Sequence, residues 1–239
     1  MMISILKYLF RIVVIAISVF VTHSGYCQSI VLPSAVRIGT DVIMMGESAI
    51  KNGKQKFEIT GDIDVYKYFI TVDYGLSQNQ ISETEFNYRN AGSYSRIGID
   101  YDFLFFDEDN HVIFFGLRYA RSFFSEKFDY SIYDSVYGPY DLYVENQDAR
   151  ARWWEMNAGL KARIWKQLYV GWTGRFKFAQ KSSGDDNLSV YQIPGFGLAE
   201  NKSRWGFNYY IYYRFPFRNK PRILQKEEII PIEGEDDGN

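Results

Sequence analysis

Acidic and basic side chains recur at alternate positions along several short stretches of this chain. They are Arg37 and Asp41, Glu58 and Asp62, Asp73, Arg96 and Asp100, Arg118, Glu155 and Lys161, Arg175, and Arg214. Such a set could do either of two things. Paired carboxylates could share general acid and base duties, or acids and bases on neighbouring segments could neutralise one another. The carboxylates are numerous, but ion pairing already accounts for them. Other catalytic chemistry is thinly represented. Of the two histidines, His111 sits in Asp107-Glu108-Asp109-Asn110-His111, which reads as a turn. No phosphate-cradling loop, His-rich metal motif or nucleophile elbow occurs. Cys27 is the single cysteine, so no disulfide can form within the chain. Neither a metal nor an organic cofactor is expected, nor enzyme activity.

Extended segments would position these charges, because a strand turns successive side chains to opposite faces. Eight alternating segments can be read between Ala35 and Phe217. Val36, Ile38, Thr40 and Val42 oppose Arg37, Gly39 and Asp41. Phe57, Ile59, Gly61 and Ile63 oppose Glu58, Thr60 and Asp62. Tyr68, Ile70, Val72 and Tyr74 oppose Thr71, Asp73 and Gly75. Ile97, Ile99, Tyr101 and Phe103 oppose Arg96, Gly98, Asp100 and Asp102. The rhythm continues with Ile113 to Tyr119 against Gly116 and Arg118, and with Trp154 to Ile164 against Glu155, Asn157, Gly159, Lys161 and Arg163. Leu168, Val170, Trp172, Phe176 and Phe178 then oppose Gly171, Thr173, Arg175 and Lys177. The last run sets Trp205, Phe207, Tyr209, Ile211, Tyr213 and Phe215 against Gly206, Asn208 and Arg214, with Tyr210 and Tyr212 between them.

The N-terminus reads as an export leader. Lys7 and Arg11 form a basic region, followed by a ten-residue apolar core from Ile12 to Val21. A membrane helix would need about 20 such residues. Cleavage is expected after Cys27. Lipidation of Cys27 is the rival, disfavoured by Tyr26 where lipoprotein signals want a small residue. Removing Lys7 and Arg11 from 27 basic residues against 29 acidic leaves the mature chain acidic, which argues against nucleic-acid binding. No later stretch has about 18 apolar residues in a row, so any membrane crossing falls to strands.

Short connections are expected around Asp64-Val65, Asp107 to Asn110 and Lys166-Gln167. Long ones are expected across Gly46 to Gly53, Gln78 to Ala91, Ser125 to Asp148 and Lys181 to Lys202. This alternation matches the short periplasmic turns and long extracellular loops of outer-membrane barrels. The expected fold is all-β: an eight-stranded antiparallel up-and-down transmembrane β-barrel. A soluble or lipid-anchored lipocalin-like barrel would have the same strand count with its apolar face inward, and periodicity alone does not choose. Most strand glycines (Gly39, Gly75, Gly98, Gly116, Gly159, Gly171, Gly206) share the charged face, which suits a crowded interior. Trp154, Trp172 and Trp205 suit interfacial girdles. Both signals favour charge inside and lipid outside. The chain then divides into a signal peptide (1–27), a barrel (28–217) and a flexible charged periplasmic tail (218–239).

Gly116-Leu117-Arg118-Tyr119, Trp153-Trp154-Glu155 with Gly159-Leu160-Lys161, Ile193-Pro194-Gly195-Phe196-Gly197 and Trp205-Gly206-Phe207-Asn208-Tyr209 together carry a family resemblance. The chain resembles a family of uncharacterised Bacteroidota outer-membrane proteins classed only as a domain of unknown function. The resemblance covers nearly the whole barrel. It implies outer-membrane location and a small OmpA- or OmpX-like architecture, and it transfers no catalytic residue. Separately, Trp205 to Phe215 is similar to the terminal-strand signal read by the barrel-assembly machinery. It departs from that signal at Ile211, and further residues follow Phe217.

The expected role is structural or surface-binding, with outer-membrane lipid and the assembly machinery as partners. The inward charges would form an ion-paired plug, since an eight-stranded barrel is barely wide enough for its own side chains. A narrow gated ion path is the alternative. A lipid-modifying enzyme would want its histidine near the outer rim, whereas His111 falls in an expected periplasmic turn. Tyr130, Tyr133, Tyr137, Tyr140 and Tyr143 are interleaved with Asp129, Asp134, Asp141 and Glu145. They offer contact area for an extracellular protein or glycan, or else line a hairpin turning at Gly138-Pro139. Gly184-Asp185-Asp186-Asn187 reads as a solvated turn. Ile193 to Gly197 is placed to fold back over the barrel mouth.

Overall fold

The alternating segments pair edge to edge until the sheet meets itself. The computed structural model describes residues 32–50, 53–83, 86–107, 109–134, 138–184 and 189–218. The leader (1–27), residues 219–239 of the tail, Tyr137 and Asp185-Asp186-Asn187 lie outside these residues. The elements are β1 (Ala35–Asp41), α1 (Val42–Ile50), β2 (Lys54–Val65), β3 (Tyr68–Ser82), β4 (Phe86–Asp102), β5 (Val112–Asp134), β6 (Gly138–Trp165), β7 (Leu168–Ser183), β8 (Gln192–Ile193), β9 (Gly197–Leu198) and β10 (Arg204–Pro216). Eight strands close in the order β1-β10-β7-β6-β5-β4-β3-β2, while β8 and β9 form a separate small ladder. Each pairing around the ring is antiparallel. Closure leaves no open sheet edge.

The two faces divide as the alternation divides them. Arg37, Glu58, Asp73, Arg96, Arg118, Glu155 and Arg175 are buried inside the ring. Ile38, Ile59, Val72, Ile97, Leu117, Met156, Val170 and Ile211 point outward and are 37–57% exposed. An apolar interior of the lipocalin kind is therefore not what forms.

Three features depart from the sequence reading. The first strand stops at Asp41, and Val42, read as an outward strand residue, begins α1. The cause is local: Asp41 Oδ1 accepts hydrogen bonds from the amides of Ile43 (2.9 Å) and Met44 (3.0 Å), capping the helix. Second, the turn expected at Asp64-Val65 falls at Tyr66-Lys67, where Tyr66 takes a positive φ of 59°. Third, two stretches expected as long loops are mostly paired strand. β3 runs to Ser82 opposite a β4 that starts at Phe86, and β5 and β6 pair out to Asp134 opposite Gly138. Apolar alternation lapses there because polar residues such as Asn79, Asn90, Glu126 and Asn146 occupy the buried face, yet the backbone ladder continues. At 23 and 28 residues, β5 and β6 far exceed the roughly 9–11 that cross a bilayer.

The remaining connection turns inward. Ile193 and Phe196 are buried against Tyr94, Ala120, Phe124, Ala149, Ala151 and Trp153, so the segment fills the barrel mouth. Gly195, at φ +80°, lies so close to the Tyr94 ring that a Cβ would sit 2.6 Å from it. Side-chain space is equally short in the wall: a Cβ on Gly116 would lie 2.6 Å from the carbonyl oxygen of Ile99 and 2.8 Å from Asp100 Cα. Gly116→Val should therefore destabilise the barrel by about 1–3 kcal/mol. A lower urea midpoint for loss of the compact, fast-migrating form on unheated gels would report it.

Candidate functional site

Charge enters the barrel from almost every strand, at the inward positions of the pleat. At the end where β1 begins and β10 ends, Asp62 receives Arg37 Nε at 2.7 Å and Lys161 Nζ at 2.6 Å. Phe69 lies beneath both cations, with Arg37 Cζ 4.2 Å and Lys161 Nζ 5.0 Å from its ring centre. Further along the axis, three guanidiniums interleave with four carboxylates. Arg118 bridges Asp100 and Asp73, both at 2.7 Å. Arg175 reaches Asp73 (3.2 Å), Glu155 (3.1 Å) and Glu58 (3.4 Å). Arg96 joins Glu155 (3.0 Å) to Glu58 (2.7 Å). Five cations and five carboxylates therefore meet in the lumen, and their formal charges cancel.

Neutral donors complete the carboxylates. Glu58 also accepts hydrogen bonds from the hydroxyls of Tyr94 (2.5 Å) and Tyr210. Glu155 accepts the Trp153 indole N–H at 2.7 Å, and Asp73 accepts the Thr60 hydroxyl at 2.6 Å. Asn208 accepts from Arg175 Nε at 2.7 Å. With Arg37 on β1 and Asn208 and Tyr210 on β10, all eight ring strands contribute.

Two of the residues read as lumen charges stand apart. Asp41 caps α1 and accepts from the Asn208 amide at 2.5 Å, which takes it out of the guanidinium cluster. Arg214, near the end of β10, forms no ion pair with a described acid. Sequence reasoning set Tyr210 and Lys177 on the charged face without counting them among the lumen charges, and did not assign Tyr94 or Trp153 to the lumen. Each of the three aromatic residues sits at an inward position where its polar tip finds a charged partner. Lys177 Nζ donates to the Gly195 carbonyl at 2.7 Å, and Arg96 Nη2 to the same oxygen at 3.3 Å. The mouth segment is thus fastened to the network beneath it.

Of the tyrosines read as one contact surface, Tyr130 and Tyr143 fall on opposite faces of the β5–β6 hairpin. Tyr130 pairs with Phe86 and lines a cleft of about 340 Å³ with Ile81, Tyr88, Phe128 and Tyr191. Tyr143 falls on the opposite face of the hairpin and is exposed, its hydroxyl bonding Glu145. Lys127 Nζ lies 2.8 Å from Glu145; this hydrogen bond raises the Lys127 pKa and lowers that of Glu145. Tyr133 and Tyr140 lie in the paired strands, opposite Pro139 and Ile132. Behind the cleft, Glu126 accepts from the Tyr88 hydroxyl and the Tyr191 amide, both at 3.2 Å. Burial pushes its pKa up.

At the other end, the His111 amide donates to Asp107 Oδ2 (2.8 Å), and its Nδ1 accepts from the Arg163 amide at 3.2 Å. That geometry closes a turn. Among the described residues, no group of three or more His, Cys, Asp or Glu could hold a metal ion. No helix among them is long and apolar enough to cross a membrane, which says nothing of crossing by strands.

A family model described as a domain of unknown function, DUF6048, matches residues 5–220. No curated protein matches the chain. Among solved structures, the chain is similar to the N-terminal β-barrel domain of Pseudomonas aeruginosa OprF, with 12% identity, 77% of this chain and 100% of that one covered, and a TM-score of 0.34. It is also similar to Neisserial surface protein A, with 12% identity, 77% and 95% covered, and a TM-score of 0.33.

Removing one partner from a buried ionic network leaves the others uncompensated. Glu58→Gln should lower unfolding stability by about 3–5 kcal/mol, whereas Asp129→Asn on the exposed hairpin should change it by less than about 0.5 kcal/mol. Urea titrations followed by tryptophan fluorescence would compare them.

Proposed function

The chain belongs to the DUF6048 family, a domain of unknown function, and we propose that it is a small outer-membrane β-barrel protein of a Gram-negative bacterium. The Bacteroidota are its expected source. Its polarity carries this reading: an ion-paired network of balanced formal charge lies inside a wall whose outward positions are aliphatic and aromatic. Water would leave that wall unsatisfied, whereas hydrocarbon matches it. The band is bounded. Outward residues on β4 change from Ile97 and Ile99 to Ser95, Ser93 and Arg89, and on β6 from Trp154 to Arg152 and Arg150. The leader at 1–27 supplies export, and β10, from Trp205 to Phe215, supplies the assembly signal.

The lumen is closed and the protein is not an enzyme. A gated pore would need a path, but Arg96, Arg118 and Arg175 span the interior and Ile193 and Phe196 fill the mouth above them. His111 is engaged at a turn on the end opposite the long hairpins. Function then rests on the hairpins that stand beyond the apolar band. There the tyrosine-bearing β5–β6 extension offers a surface to an extracellular protein or glycan.

Purified protein in planar bilayers should show no sustained openings, and steady single-channel currents would overturn the closed lumen. In intact cells, protease should cleave within Ser125 to Asp148. Protection there, with cleavage only after lysis, would place the hairpins on the wrong side of the membrane.

A further inference from the structure

Three cations stand in one cross-strand row on the outer wall. Arg121 on β5 is directly opposite Arg152 on β6, and Arg152 is directly opposite Lys181 on β7. All three are exposed. Opposed residues in an antiparallel pair hold their Cβ atoms about 5 Å apart, where like charges repel. No ion pair with a described acid relieves them; on β6 Glu155 faces inward, and Asp148 lies four residues from Arg152 on the other side. Folding alone gives no reason for such a row.

A bulge creates it. Trp154 pairs with Phe178 and Arg152 with Lys181, so two steps along β6 match three along β7. The extra residue falls at Ala179, whose φ of +52° is unfavourable for a side chain with a Cβ. Without that extra residue Lys181 would face the opposite way from Phe178. With it, Lys181 joins the two arginines.

The next row down is Tyr119, Trp154 and Phe178, and the one below that is Leu117, Met156 and Phe176. Tyr119 and Trp154 meet edge to face at 5.1 Å. The cations therefore stand one strand repeat, about 7 Å, beyond an aromatic row that borders an apolar one.

We propose that Arg121, Arg152 and Lys181 bind the phosphorylated headgroup of a lipid in the surrounding leaflet, an inference that rests on the membrane reading above. Arginines offer paired donors to phosphate oxygens, and the lipid's chains lie along the rows beneath. A free phosphate would gain only the cations, and the commitment to a lipid follows from the contiguous aromatic and apolar rows.

The test uses the mature chain refolded in vesicles of phosphatidylcholine containing lipid A with two phosphates, then extracted in mild detergent and assayed for retained lipid A. Arg121→Gln/Arg152→Gln/Lys181→Gln should lower retention by roughly tenfold or more while keeping a heat-modifiable barrel. Lipid A stripped of its phosphates should not be retained by either protein. Equal retention by wild type and variant, equal retention of the stripped lipid, or complete displacement by millimolar inorganic phosphate would each overturn the lipid site. Failure of wild type to insert at all would instead overturn the membrane reading, and the lipid site with it.

Discussion

An eight-stranded ring leaves little room beside its own side chains, so a charge held at its centre must be met by another charge. Everything else in this barrel depends on that condition. Asp62 serves Arg37 and Lys161, and Arg118, Arg175 and Arg96 link Asp100, Asp73, Glu155 and Glu58 into one connected system. An uncompensated ion inside would cost several kcal/mol. Tyr94, Tyr210, Trp153 and Thr60 occupy the remaining acceptor sites, so the carboxylates are satisfied in both charge and hydrogen bonding.

The apolar mouth and the ionic core are parts of the same device. Ile193 and Phe196 pack on Trp153 and Tyr94, while the Gly195 carbonyl accepts from Arg96 and Lys177. A glycine is required at that point, because the backbone turns through positive φ against the Tyr94 ring. The segment therefore covers the network with apolar surface and takes two of its donors, which shields the charges from water at that end.

Much of this arrangement is legible in the sequence, because period-two alternation is a direct consequence of the pleat. Strand number, the inward set from Arg37 to Arg175, and the outward set ending in Phe215 all follow from it. What escapes has physical reasons. Asp41 is identical in pattern to its neighbours, and only the capped amides of Ile43 and Met44 reveal that it ends a strand. Polar residues on both faces hide the true length of β5 and β6, since pairing there no longer needs an apolar side. Tyr94 and Trp153 look apolar in the pattern, yet the Tyr94 hydroxyl and the Trp153 indole N–H belong to the network. The bulge at Ala179 is silent in the pattern too, so Lys181 would have been assigned the wrong face.

The place of the mouth segment in the chain has a consequence for how the molecule is put together. It lies between β7 and β10, and β10 is the strand that joins β1 and shuts the ring. The mouth segment and the closing strand are thus one continuous piece of chain: β10 brings Asn208 and Tyr210 to Arg175, and the segment just before it brings the Gly195 carbonyl to Arg96 and Lys177. Filling and wall are tied to the same three cations, so neither can shift without disturbing the other.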